Sequence, residues 1–383
     1  RGWRERFGRI EPVPGPERGT PRVMIHAVSV GEVNLIRTLV AKLTKNADVV
    51  VTATTDTGIA RARELYEGVA HVRRYPLDFS PCVRRFLDET KPDAVALVEL
   101  ELWPQFVTEC ERRTVPVAIV NGRLSARSFA RYRACRWLVG RFFRRVAWAG
   151  AQDDAYAERF REMGCPAVET IDTMKWDAAP TSEPTGADAL AREMGIDRST
   201  PLVVAGSTAP GEHELLRDRL PDGVQLLCAP RRPEWWDAAA DLFPGCVRRS
   251  RPGAGDPATG RFILDTIGEL RAAYALADVV LVGRSFVDLF GSDPMEPAAL
   301  GKPVVIGPNV SDFRTAVETM ERDGAIVRTT GDDLAHDLRR LIESESERRA
   351  LADSALRCVE RHRGASETYA GKLHELVSRA RRL

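Results

Sequence analysis

Arg22-Val-Met-Ile-His-Ala-Val-Ser29 runs through Val30-Gly31-Glu32 into Val33-x-Leu35-Ile36-x-x-Leu39-Val40-x-x-Leu43. The opening is a short apolar run and the close is an apolar pattern at helical spacing, with a tight polar turn between them. The stretch therefore predicts strand, turn and helix. The alternation recurs at residues 49–54 before a helix from Gly58, at 94–98 before a helix past Pro104, and at 115–120. Strands interleaved with helices and closed by short polar turns imply a parallel sheet in a doubly wound α/β domain.

A second series follows residues 178–187, whose Pro, Thr, Ser and Gly suit a linker. Its expected strands are 202–205, 225–229, 262–264, 279–282 and 303–306, and a charged helical stretch closes the chain from Asp332. The reading is thus two domains, 1–178 and 179–383, the second carrying the C-terminal helices. With 383 residues, 44% hydrophobic and 29% charged, the chain has material for two cores, which excludes disorder and collagen-like classes. Open α/β domains bind ligands at the carboxyl ends of their strands, so the residues after each strand are the candidates for chemistry.

Lys+Arg number 56 and Asp+Glu 55, so the whole chain is not a general binder of nucleic acid. The halves differ: residues 1–178 hold 29 basic and 23 acidic side chains, residues 179–383 hold 27 and 32. The first half is the one expected to meet an anionic partner. Seven scattered cysteines with no C-x-x-C pair indicate neither zinc nor a disulfide framework, and a reducing cytoplasm suits them. The six histidines have no metal-ligand spacing, and no apolar run reaches the length of a membrane span. The chain opens on Arg1 without a methionine, which suggests a preceding segment.

Ser29-Val-Gly-Glu32 places a carboxylate in the first turn of a helix, where it suits either a base for a hydroxyl or a cap complementing the macrodipole. Glu99-Leu-Glu101-Leu-Trp-Pro104 puts two carboxylates on one side of a strand end, which raises one pKa or demands a cation. Between Arg123 and Arg145 lie eight arginines and no acidic residue, interleaved with Phe129, Tyr132, Trp137, Leu138, Phe142 and Phe143. Such a segment suits an anionic membrane, a single-stranded nucleic acid, or simply a solvated helix face. In the second half, 203–212 is a strand feeding a helix start, a ready anion site on backbone N–H groups. Pro230-Arg231-Arg232 ends the next strand with guanidinium groups suited to phosphate. Ile267-Gly268-Glu269 and Gly283-Arg284-Ser285 complete a rim of turns. In Asp293-Pro294-Met295-Glu296 the Glu suits a ribose, while no G-x-x-x-x-G-K-[ST] loop is present.

Together and in this order these segments resemble the Kdo transferases, enzymes that move 3-deoxy-D-manno-octulosonic acid from CMP-Kdo to the lipid A precursor. The resemblance rests on Arg1-Gly-Trp-Arg-Glu-Arg-Phe-Gly8, His26-Ala-Val-Ser-Val-Gly-Glu32, Glu99-Leu-Glu-Leu-Trp-Pro104, Val120-Asn-Gly-Arg-Leu-Ser125, Pro230-Arg231, Gly268-Glu-Leu270 and Glu296-Pro-Ala-Ala-Leu-Gly-Lys302-Pro. It implies a GT-B glycosyltransferase: two Rossmann-like domains facing a central cleft, the first taking the acceptor and the second the nucleotide. It further implies Glu32 as the base of an inverting, metal-independent transfer, with Glu99 and Lys175 stabilising the transition state. The CMP-binding residues would be Pro230, Arg231, Ile267, Gly268, Glu269, Asp293, Pro294, Met295 and Glu296. No cofactor is implied. The implied partners are a CMP-sugar donor, an anionic lipid A precursor and the inner-membrane surface, with no nucleic acid. The implied place is the cytoplasmic face of the bacterial inner membrane, bound peripherally, with an N-terminal anchor expected before Arg1.

The sequence departs from the family pattern chiefly on the nucleotide side. Phe290-Gly-Ser-Asp293 stands for Gly-Gly-His-Asn, so that a carboxylate replaces a neutral amide near a phosphate; it is expected to repel the donor unless protonated or turned away. Asp172-Thr173 stands for Gly-Asn, Arg232 for a His, and Arg284 for the second glycine of Gly-Gly-Ser. A transferase using another nucleotide sugar, a nucleotide-sugar epimerase and a non-catalytic membrane-associated relative are the alternatives. Returning Arg284 to Gly and Asp293 to Asn is expected to improve use of CMP-Kdo if that is the donor.

Overall fold

The computed structural model describes residues 2–17, 19–179 and 182–382. Arg1 of the opening motif, and Pro180 and Thr181 of the linker stretch, lie outside the described residues. The chain divides into two units, one made of Arg1–Ala178 with His362–Leu383, the other of Ala179–Arg361.

The first unit holds a parallel sheet of seven strands: β1 (Arg22–His26), β2 (Asp48–Ala53), β3 (His71–Arg74), β4 (Ala94–Val98), β5 (Val117–Gly122), β6 (Val146–Ala151) and β7 (Val168–Thr170). Their order is β3-β2-β1-β4-β5-β6-β7, so the winding reverses between β1 and β4. Strands β1, β4 and β5 are buried at every residue. A sheet covered by helices on both faces requires this, and it is why these strands read as continuous apolar runs without alternation. β6 escapes the sequence reading because it follows directly on the arginine-rich segment, and β3 because only one of its four residues is fully buried.

The second unit repeats the plan with β8 (Leu202–Thr208), β9 (Gln225–Pro230), β10 (Val247–Arg248), β11 (Arg261–Ile263), β12 (Val279–Val282), β13 (Val304–Ile306) and β14 (Val327–Arg328). The order is β10-β11-β9-β8-β12-β13-β14, with the reversal between β8 and β12. The two-residue edge strands β10 and β14 are too short to produce a hydrophobic period.

The end of the chain corrects the expectation that the C-terminal helices all belong to the second domain. Helix Ala365–Ala380 packs on the first unit, where Tyr369, Ala370, Leu373 and Val377 enter the core formed by β1, β2, β4 and β5. Tyr369 stands edge-on to Trp148 with ring centroids 5.9 Å apart, and its hydroxyl donates to the Gly150 carbonyl at 3.1 Å. The Asp177 carboxylate accepts from the backbone N–H groups of Gly364 and Ser366 at 2.7 and 2.6 Å, satisfying donors that a helix start otherwise leaves unpaired.

Candidate active site

The reversal between β1 and β4 marks the place where an open α/β sheet takes ligands, and three carboxylates follow those two strands. Ser29 caps helix Val30–Leu35, its hydroxyl oxygen accepting from the Glu32 N–H at 3.5 Å. The Glu32 side chain reaches back, accepting from the Val28 N–H and the Ser29 hydroxyl at 2.9 Å each. Glu32 is therefore a cap and a half-buried carboxylate at once. Burial raises its pKa, the neighbouring Glu99 adds to the rise, and the hydrogen bonds from Val28 and Ser29 oppose it.

Glu99 and Glu101 are not on a strand, contrary to the sequence expectation. β4 ends at Val98, and Glu99 takes a left-handed backbone, φ 59°, with its N–H still donating to the Val120 carbonyl at 3.0 Å. Only a well-determined surrounding keeps a non-glycine residue there. The turn nonetheless keeps the carboxylates together. Burial, then the charge of Glu32, and least that of Glu99, push Glu101 up to about 7, against a hydrogen bond of 3.0 Å from the Trp103 indole. Beside Glu101 opens a cavity of about 380 Å³ walled by Leu102, Trp103, Tyr132, Val139, Phe142 and Phe143. The last four come from the arginine-rich segment, which folds as helices Ala126–Ala134 and Arg136–Phe143. Its inner face is buried at Phe142 and Phe143, while Trp137 is 82% exposed.

Lys175 opens the short helix Lys175–Ala178, which packs against the helix carrying Glu32. Asn121, at the end of β5 with φ 53°, accepts from the Thr173 hydroxyl and the Met174 N–H at 3.1 and 2.9 Å, and so fixes the approach to Lys175. This positioning role was not read from the sequence, although Asn121 sits inside the Val120–Ser125 motif; a buried amide in an otherwise apolar strand end was the available signal. Trp176 and Asp177 serve the fold, Trp176 stacking on His362 and Asp177 holding the last helix. His26 likewise serves the core: it stacks on Tyr75 at 3.8 Å, and burial lowers its pKa to about 3, so it is neutral.

In the second unit the reversal lies between β8 and β12. Pro230 closes β9, and the Arg231 N–H donates to the Thr208 carbonyl at 2.9 Å, which sets the exposed Arg231 side chain beside the end of β8. Ile267, 85% exposed, and Gly268, with φ 97°, form a projecting turn. Glu269 is held by Arg249 at 2.9 Å and by the Thr266 hydroxyl at 2.5 Å, and the Arg249 guanidinium keeps its carboxyl below the ordinary range. Pro294 and Met295 are buried and structural, whereas Glu296 is half-buried with its pKa raised by burial and by Asp293.

One expectation is corrected here, and the surroundings of Asp293 are defined. The start of helix Glu212–Arg219 is not open to an external anion: the Ala209 N–H donates to Glu212 at 2.9 Å and the Gly211 N–H to Glu214 at 2.7 Å. Asp293 directs one oxygen to the Met295 N–H at 2.8 Å, at the start of helix Met295–Ala299. The bond closes a turn over two residues, and an Asn side-chain oxygen accepts there as well as an Asp one.

Residues 1–178 match the family model described as 3-deoxy-D-manno-octulosonic-acid transferase (kdotransferase). A 3-deoxy-D-manno-octulosonic acid transferase of Bordetella pertussis is 32% identical, the alignment covering 94% of this chain and 88% of that protein. Its namesake in Haemophilus influenzae is 29% identical over 90% and 84%. Among solved structures, a glycosyltransferase of Rickettsia africae matches 94% of this chain and 99% of its own at a TM-score of 0.65 and 11% identity. Acinetobacter baumannii MurG matches 93% and 99% at a TM-score of 0.58 and 17% identity. Those two are likenesses of fold, the GT-B fold.

Proposed function

The chain belongs to the 3-deoxy-D-manno-octulosonic acid (Kdo) transferase family, and from that premise we propose that it moves Kdo from CMP-Kdo to a lipid A precursor in lipopolysaccharide biosynthesis. The observation that carries the reading is the half-buried Glu32 at the switch point of the first sheet, with Glu99 and Glu101 beside it. Its raised pKa brings a carboxylate nearer to the proton affinity that a general base requires. Glu32 takes the proton from an acceptor hydroxyl, the oxygen forms its bond to the anomeric carbon, and the bond from that carbon to the phosphate oxygen breaks with inversion. CMP departs with the electron pair.

Lys175 and Glu99 lie on the acceptor unit and stabilise the charge that develops on the sugar. On the donor unit Arg231 neutralises the departing phosphate, the projecting turn at Ile267 and Gly268 borders the nucleotide, and Glu296 accepts from the ribose hydroxyls. Glu269 acts from behind, holding that turn through Arg249 and Thr266. The charge on CMP is met by guanidinium groups, so the transfer needs no divalent cation. Arg131, Arg136 and the exposed Trp137 belong to a surface suited to anionic lipid headgroups, since indole and guanidinium groups partition to that boundary. In this reading the protein works peripherally at the cytoplasmic face of the inner membrane, and among the described residues no helix is long and apolar enough to cross it.

The test is incubation of the purified chain with CMP-Kdo generated in situ, with and without a lipid A precursor, in the presence of a chelator. CMP release that depends on acceptor, with a Kdo-sized gain in lipid mass, is the expected result. Glu32→Gln is expected to lower transfer by at least about a thousandfold while CMP affinity stays within about twofold. Equal loss of both makes Glu32 a cap only.

A further inference from the structure

The loop after β12 departs from the family pattern at Arg284 as well as at Phe290–Asp293, and both Arg284 and Phe290 take a left-handed backbone. Gly283 allows β12 to close on β8, since a Cβ there would lie 2.6 Å from the Thr208 Cα. Arg284, next in the chain, adopts φ 59°, a backbone natural to the glycine it replaces and strained for arginine. The backbone around it is tied down from inside. The buried Glu212 carboxylate accepts from the N–H groups of Arg284, Ser285 and Phe286 at 2.7, 2.9 and 3.0 Å, as well as from Ala209. Three successive backbone donors of this kind otherwise make a cradle for an external anion. Here the protein's own carboxylate fills it.

Recognition of an anion at the β8–β12 switch point therefore falls to side chains. Arg284 supplies one, anchored by a hydrogen bond of 2.7 Å from its guanidinium to the Leu289 carbonyl. The Arg231 N–H bonds to the Thr208 carbonyl at 2.9 Å and Gly283 packs against the Thr208 Cα, so Arg231 and Arg284 flank the end of β8. Burial first and then the charge of Arg231 lower the Arg284 pKa, with Arg232 adding to the effect and the carboxylates of Asp312 and Glu212 opposing it. Like charges brought together at a half-buried site are stabilised by a ligand that carries more than one negative group. CMP-Kdo is such a ligand: its phosphate and its carboxylate are attached to the same anomeric carbon.

We propose that Arg284 is a specificity-determining residue of the donor site, its guanidinium pairing with the carboxylate of the sugar acid while Arg231 holds the phosphate and Glu212 positions the loop. The inference rests on the CMP-Kdo reading above. It reverses what the sequence alone suggests, which is that arginine at this position obstructs the donor and that glycine restores it.

Arg284→Gly is the informative variant, because glycine adopts the local backbone without strain and the Glu212 contacts are to main-chain groups. Three quantities are measured: kcat/KM for CMP-Kdo, the inhibition constant of CMP, and the preference for CMP-Kdo over its methyl ester. The variant is expected to lose roughly ten- to a hundredfold in kcat/KM, the scale of one charge-assisted pair. CMP inhibition is expected to stay within about twofold, and the preference for acid over ester to disappear. Arg284→Lys, which keeps the charge without the fork, is expected to retain part of that preference. A matching loss of CMP affinity overturns the proposal by placing Arg284 on the phosphate, and unchanged or improved use of CMP-Kdo overturns it by removing Arg284 from the donor. Failure of the unmodified protein to bind CMP and transfer Kdo defeats the donor reading itself, before any variant is made.

Discussion

Glu101 illustrates how the environment divides labour among identical side chains. It shares a cluster with Glu32 and Glu99, yet burial and the Glu32 charge raise it to about 7, so at neutral pH it holds a proton for much of the time. A folded-state pKa above the unfolded value of 4.5 means that the native chain binds more protons between those values. Stability from this group is then full below about pH 4.5 and is lost as pH rises through 7. Thermal melts across pH 5 to 8 are expected to show a decline in the unmodified chain that Glu101→Gln flattens; parallel declines would place the titration elsewhere. The motif in the sequence suffices to nominate two carboxylates sharing a site. The displacement of Glu101 depends on its burial and on the approach of Glu32 from another strand end, and neither is a matter of spacing along the chain.

At the scale of elements, the short segments after strands carry most of the site, and their caps decide who may bind there. The acidic residues of helix Glu212–Arg219 satisfy amide donors of the turn that leads into it and of the neighbouring loop, which turns an apparent anion site into a strut. Asp293 performs the same service for helix Met295–Ala299. Asp293→Ala is expected to cost about 1 kcal/mol in chemical denaturation and Asp293→Asn only about a few tenths, because Asn can accept the same hydrogen bond two residues on. A cost for Asn equal to that for Ala would mean that the charge, and not the acceptor, is what matters. The arginine-rich helices are equally two-sided. Arg145 bonds inward to Thr108 at 2.7 Å and pairs with Glu111, while Trp137 points to solvent, so the eight arginines are not one uniform surface.

At the scale of the whole molecule, the chain's return to its first unit ties its end into that unit's core. Tyr369 is fully buried between Trp148 and Gly150, 219 residues away in sequence. Tyr369→Ala is expected to destabilise the first unit by about 3–5 kcal/mol, as removal of a large buried aromatic does, while Tyr369→Phe costs about 1 kcal/mol for the hydrogen bond. Differential scanning calorimetry checks both, and a loss confined to the second unit's transition would contradict the packing.

The sequence by itself determined the parallel α/β plan, since continuous apolar runs buried on both faces and helical periods between them are local patterns that survive in one dimension. It also carried the resemblance to the family, on which alone the nomination of Lys175 rests, and it placed Glu32, Glu99 and Arg231 just after strands, because strand ends are legible wherever the strands are. Only the tertiary structure decided where the last helix docks, since the apolar face of Tyr369, Leu373 and Val377 fits any core of the right shape and carries no address. The same holds for the fate of each amide donor at the β8–β12 reversal. Whether Glu212, Asp293 or a ligand takes those hydrogen bonds depends on distances between loops from different strands, and that separation in sequence is what hid the role of Arg284.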